Sequence, residues 1–271
     1  MVNKAIGFKP VYHVDAAQVH KVLSSYMLAD GMDIVIDLHK SSGSYLIDKL
    51  TGREFIDFFS CYASMPLGYN HPDLLEEEFI GHIGRAALNK PSNSDLYSEE
   101  MATFVKTFFK VAVPDYFKYS FYVSGGSLAV ENAIKAAIDR KVRQNYRKGH
   151  RSECGQRIIY FRKAFHGRSG YSLSMTNTDP NKVKYFPKFE WSRVINPAIK
   201  FPLNEENLER VRNLEMTAVD QVKSIIRLYG DEIAAVIIEP VQGEGGDNHF
   251  RSEFFEKLRL IADENDIMLI F

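Results

Sequence analysis

Four short apolar runs constrain the fold more than any other feature: FYV at 121–123, RIIYF at 157–161, IAAVIIE at 233–239 and IMLIF at 267–271. They are β-branched or aromatic, and the longer ones do not alternate with polar residues, so they predict strands buried on both faces. Helical patterns lie between them. LAVENAIKAAIDRKVRQ sets Val130, Ala133, Ile134, Ala137 and Ile138 on one stripe, and SEFFEKLRLIADEND sets Phe254, Phe255, Leu258, Ile261 and Ala262 at helical spacing. Ser252 is the expected N-cap of the latter. A polar-rich pattern predicts a longer helix over much of 205–229. Strands alternating with helices predict an α/β fold whose central sheet is mostly parallel and covered by helices.

The first sixty residues follow another rule. GSYLIDKLTGREFIDFFS reads as a hairpin turning at Thr51-Gly52. The expected division is therefore an N-terminal segment, 1–64, and a larger α/β part, 65–271. IMLIF stops inside an expected buried strand, on the side of the sheet where such folds bind ligands. The expectation is an N-terminal fragment, with a sheet incomplete at its C-terminus.

Composition excludes more than it assigns. Lys and Arg number 34 against 35 Asp and Glu, a net charge of -1, so no global attraction to nucleic acid or an anionic membrane is expected. Cys61 and Cys154 form no metal or disulfide spacing, as expected of a reducing cytoplasm. MVNKAIGFKPVYHVDAAQVH lacks the apolar core of a signal peptide, and no run approaches the roughly 20 apolar residues of a membrane span. His13, His20, His39, His71, His82, His150 and His249 form no ligand pattern.

Three stretches carry candidate chemistry. FYVSGGSLAVENAIKAA is a strand, Ser124-Gly125-Gly126-Ser127, then a helix; glycines and free N–H groups at a helix start favour an anion. The same residues also suit a tight turn that merely needs glycine. FHGR places Phe165, His166 and Arg168 together, able to stack on a flat ring and grip a carboxylate, or simply to form a solvated loop over a core phenylalanine. IIEPVQGEGGDN sets Glu239 and Glu244 after a strand, as polar site residues or as solvated acids of a Gly-rich turn. ALNKPSNSDLYS, at 87–98, reads only as a loop and a helix start.

Together these motifs resemble the class III pyridoxal-phosphate aminotransferases, of the fold type I (aspartate-aminotransferase-like) architecture. The likeness runs from LADGMDIVIDLHKSSGSYLID through ALNKPSNSDLYS, SGGSLAVENAIKAA and FHGRSGYSLSMTNT to EPVQGEGGDNHFR. Gly-Gly-Ser before a helix and Phe-His-Gly-Arg are shared across the class. NKPSNSD and the GRSGYSLSMTNT continuation are narrower and resemble the L-lysine 6-transaminases (lysine ε-aminotransferases).

The resemblance implies a role for each candidate. Gly126 and Ser127 hold the cofactor phosphate, Phe165 stacks on the pyridine ring with His166 beside it, and Glu239 lies near the ring substituents. Arg168 binds a substrate carboxylate. Glu244 corresponds to an acid that moves when a dicarboxylate must be admitted. The implied reaction carries the ε-amino group of L-lysine to 2-oxoglutarate, giving 2-aminoadipate 6-semialdehyde and glutamate, in a homodimer with no nucleic-acid or membrane partner. Other ω-aminotransferases, of the ornithine or 4-aminobutyrate type, and an inactive truncated product are the alternatives. The pattern's Asp for the pyridine nitrogen, its Schiff-base lysine and its downstream arginine have no match here, so no catalytic residue is nominated.

Overall fold

A computed structural model describes residues 10–271. The stretch read for a leader begins in residues 1–9, which lie outside the described residues. The chain forms two compact units, divided between Lys118 and Tyr119.

In the first unit a helix, α1 (Val19–Tyr26), precedes an antiparallel hairpin of β1 (Tyr45–Ile47) and β2 (Glu54–Ile56), with Leu46 opposite Phe55. The expected turn forms: Asp48 accepts from the Leu50 and Thr51 amides and from the Thr51 hydroxyl, and Gly52 adopts φ +71°. A short left-handed turn, α2 (Ser60–Ala63), follows, and then α3 (Glu77–Leu88) and α4 (Glu99–Val111). Ser98 caps α4 by accepting the Met101 amide, and two glutamates occupy its first turn, where the helix dipole favours negative charge.

The second unit contains the sheet. In chain order it comprises α5 (Gly126–Arg147), β3 (Arg157–Phe161), α6 (Gly170–Met175), β4 (Ser192–Val194), α7 (Glu205–Tyr229), β5 (Ile233–Ile237), the small pair β6 (Val241–Gln242) and β7 (Asn248–His249), α8 (Ser252–Glu264) and β8 (Met268–Ile270). The strand order is β4-β3-β5-β8, all parallel, with Ile159 beside Ser192 and Val236, and Val236 beside Leu269. Alternation then divides the core. Ile159, Phe161 and Val236 face Ala218 and Val222 of α7 and Phe254, Leu258 and Ile261 of α8. Ile158, Tyr160, Ala235 and Ile237 face Ile134 and Ala137 of α5 and Met175 of α6. A sheet covered on both faces needs continuous apolar strands, as these sequences supply.

Helix ends follow local chemistry. Asn204 accepts the Asn207 amide at the start of α7, and Gly230 ends it at φ +53°. Glu215, fully buried on α7, accepts Arg251 Nε at 2.8 Å and pins α7 to the start of α8. Lys141, fully buried on α5, reaches Asp231 at 3.5 Å.

Two local expectations are corrected. Residues 121–123 form no strand: the sheet's edges are β4 and β8, and Phe121 is exposed. Ser252 is the first helical residue, not the N-cap; Arg251 takes that place, its carbonyl accepting the Phe254 amide.

Candidate active site

The loops after β3 and β5 and the start of α5 meet at a cleft of about 460 Å³. Gly126, Ser127, Phe165, His166 and Glu239 all line it, so five of the seven predicted residues converge although they are spread along the chain. Val130, Ile237 and Ile270 supply apolar walls. Ligand sites of parallel sheets form where loops leave the carboxyl ends of the strands.

The α5 start is built to receive an anion. Gly125 turns the chain at φ +96°, and a side-chain carbon at Gly126 would project into open space. The first turn of this 22-residue helix, whose leading N–H groups have no partner within the helix, lines the cleft at Gly126 and Ser127. Ser127 is held by a cluster of hydroxyls. Its Oγ lies 2.6 Å from Ser169 Oγ and 2.8 Å from Ser172 Oγ. Buried Glu131 anchors the cluster, accepting the Ser169 hydroxyl at 2.8 Å and the Ser172 amide at 3.0 Å. Gly167, at φ +114°, makes room for it: a Cβ there would stand 2.3 Å from Ser127 Oγ.

Phe165 and Glu239 are joined directly. The Phe165 amide donates to Glu239 Oε2 at 2.9 Å. Burial raises the Glu239 carboxyl to about 7, with the negative charge of Glu244 adding to the rise and the Phe165 amide opposing it. Near neutrality this group can hold or release a proton. His166 is buried, and burial lowers its imidazole to about 4, so the ring is neutral. Its amide donates to Thr176 Oγ1, while its Nε2 has no hydrogen-bond partner among the described residues.

Arg168 and Glu244 do not line the cleft; both are exposed. Burial pushes the Glu244 carboxyl up, but hydrogen bonds from Lys182 and Thr178, the Lys182 charge and, least of all, the Arg168 charge hold it below its ordinary value. Glu244 Oε1 accepts the Thr178 hydroxyl and Lys182 ammonium, each at 2.7 Å. The cleft thus combines an anion cradle, a surface for a flat ring and a carboxyl able to exchange a proton, with a charged group outside it. That donor set fits a phosphorylated heteroaromatic ring.

Sequence reading missed Glu131, Gly167, Ser169, Ser172, Thr178 and Lys182. Glu131 carried a usable signal: it falls on the stripe of Ile134 and Ala137, where a charge must find a partner. The serines of GRSGYSLS carried a family likeness but no role, because their role depends on a fold contact 42 residues away in sequence.

The Aminotransferase class-III family model matches residues 26–271, and the chain belongs to that family. Class III aminotransferases are pyridoxal-phosphate dependent and share fold type I. The chain is 48% identical over 255 residues to an L-lysine-epsilon aminotransferase of Mycobacterium tuberculosis, a match covering 94% of this chain and 56% of that relative. It is 41% identical over 264 residues to its counterpart in Streptomyces clavuligerus, covering 97% of this chain and 57% of that protein. The solved lysine aminotransferase of M. tuberculosis superposes with a TM-score of 0.91 at 47% identity, over 95% of this chain and 59% of that one. The chain therefore spans little more than half the length of these relatives. Among the described residues, no helix is long and apolar enough to cross a membrane.

Proposed function

We propose that the whole protein is an L-lysine 6-transaminase, transferring the ε-amino group of L-lysine to 2-oxoglutarate and releasing 2-aminoadipate 6-semialdehyde and glutamate. The observation that carries this reading is the convergence of Gly126, Ser127, Phe165, His166 and Glu239 on one cleft, in a chain 48% identical to an L-lysine-epsilon aminotransferase.

When bound, pyridoxal phosphate supplies the electron sink for amine transfer. The chain's residues supply position. The Gly126 and Ser127 amides and the Ser127 hydroxyl would hold the phosphate, and Phe165 and the neutral His166 would hold the ring. Glu239, whose carboxyl burial raises to about 7, would hold or release a proton beside the ring's place. Arg168 takes a carboxylate of donor or acceptor, and Glu244 adjusts the charge that the second carboxylate meets. Residues 1–64 are read as part of a small domain and 65–271 as part of the cofactor-binding domain, in a cytoplasmic homodimer.

An amine-donor panel on the whole protein, with 2-oxoglutarate as acceptor, tests the assignment. L-lysine is expected to be the strongest donor. Strong ornithine or 4-aminobutyrate activity with none on lysine overturns it.

A further inference from the structure

A buried carboxylate one turn behind an anion cradle has the wrong sign to help an anion, and Glu131 is such a group. It stands four residues after Ser127 on α5, on the same helix face. Its Oε1 accepts the Ser169 hydroxyl at 2.8 Å and the Ser172 amide at 3.0 Å.

Proton supply fixes the direction of the hydrogen bonds around it. Ser127, Ser169 and Ser172 bring one hydroxyl proton each, and a carboxylate brings none. The contact with Glu131 takes the Ser169 proton. The 2.6 Å contact between Ser127 and Ser169 is then filled by the Ser127 proton, and the 2.8 Å contact between Ser127 and Ser172 by the Ser172 proton. The chain of donors runs from Ser172 to Ser127 to Ser169 and ends on Glu131. Ser127 Oγ also accepts the Ser169 amide at 3.3 Å, so its one donor and two acceptor positions are all occupied. Ser172 is fully buried, and a Cβ at Gly167 would stand 2.9 Å from its Oγ, so the cluster is closed on that side.

We infer that Glu131 and the cofactor phosphate compete for one hydroxyl chain, which makes Glu131 a positioning residue that limits the grip of Ser127 on the phosphate. For the Ser127 hydroxyl to donate to a phosphate oxygen, the Ser169 proton must turn from Glu131 to Ser127. One hydrogen bond to the phosphate forms, one to the carboxylate breaks, and Glu131 keeps the Ser172 amide. No proton is gained or lost. This inference rests on the proposed phosphate site and adds to it a residue that acts through Ser169 and Ser127.

Equilibrium dialysis of the whole protein, freed of cofactor, against pyridoxal phosphate and against unphosphorylated pyridoxal tests it, with the ratio of the two affinities as the readout. Glu131→Gln keeps an acceptor oxygen and removes its charge. The ratio should rise roughly fivefold in favour of the phosphate, the difference between a hydrogen bond to a charged acceptor and one to a neutral acceptor. A merely structural role would loosen the cradle and lower the ratio. Ser169→Ala removes the competing hydroxyl and leaves Glu131 its Ser172 amide, so the ratio should rise there too. In that background Glu131→Gln should change the ratio by less than about twofold. A ratio that stays or falls in either single variant overturns the inference. So does a full rise from Glu131→Gln in the Ser169→Ala background, which makes Glu131 act by charge alone. A wild-type protein with no preference for the phosphorylated aldehyde overturns the phosphate site as well; a normal preference with an unmoved ratio overturns this inference alone.

Discussion

Ser127 Oγ lies 2.6 Å from Ser169 Oγ, joining the first turn of α5 to the loop after β3 across 42 residues of chain. The contact exists because Gly167 leaves room for it and because Glu131 draws the Ser169 hydroxyl toward itself. The anion cradle is therefore set by two elements at once, and disturbing either should be felt at the ligand.

Gly167→Ala tests that coupling. The new Cβ would stand 2.3 Å from Ser127 Oγ, on a backbone at φ +114° that L-residues rarely adopt. A destabilisation of about 1–3 kcal/mol is expected in denaturant unfolding. Pyridoxal phosphate should also bind more weakly relative to unphosphorylated pyridoxal, since the phosphate end is what moves. An unchanged ratio of the two affinities would separate Ser127 from phosphate binding.

Glu239 gives a pH prediction of definite sign. Its folded carboxyl is raised to about 7 from an ordinary 4.5, so the folded state binds the extra proton between those values. Stability associated with this group is fully present below the unfolded pKa and is lost as pH rises through 7. Glu239→Gln, which cannot ionise, should match wild type at pH 4.5 and exceed it in melting temperature at pH 8. A gap that does not change between these two pH values would show that Glu239 ionises normally.

The ion pair between α7 and α8 yields a stability prediction apart from the cleft. Glu215 is fully buried and holds Arg251 Nε at 2.8 Å, with Lys257 at 3.5 Å. Glu215→Ala removes the buried partner of Arg251 and leaves it only the half-exposed Glu253, 3.4 Å away, at an expected cost of about 2–3 kcal/mol in chemical unfolding. A loss below about 1 kcal/mol, the range of an exposed pair, would mean that Arg251 finds other partners.

What the sequence made legible follows from what each signal depends on. The apolar runs at 157–161, 233–239 and 267–271 gave β3, β5 and β8, because strands buried on both faces must be apolar throughout. Ser192–Val194 escaped notice: three residues containing a central arginine become a strand only by pairing with β3. Residues 121–123 failed for the converse reason, having strand composition without a place in the sheet. At the site, glycines and a Phe-His-Gly-Arg cluster announced themselves locally. Lys182 could not, since one of the two lysines in DPNKVKYF acquires meaning only from Glu244, 62 positions later.

Transfer of the ε-amino group of lysine, rather than the α-amino group, is decided by isotope. The whole protein, loaded with pyridoxal phosphate, is given L-lysine labelled with nitrogen-15 at the ε position and unlabelled 2-oxoglutarate, and the glutamate formed is read by mass spectrometry. Labelled glutamate and an unlabelled cyclised semialdehyde are expected. Unlabelled glutamate, with the label retained in the lysine-derived product, would contradict transfer of the ε-amino group.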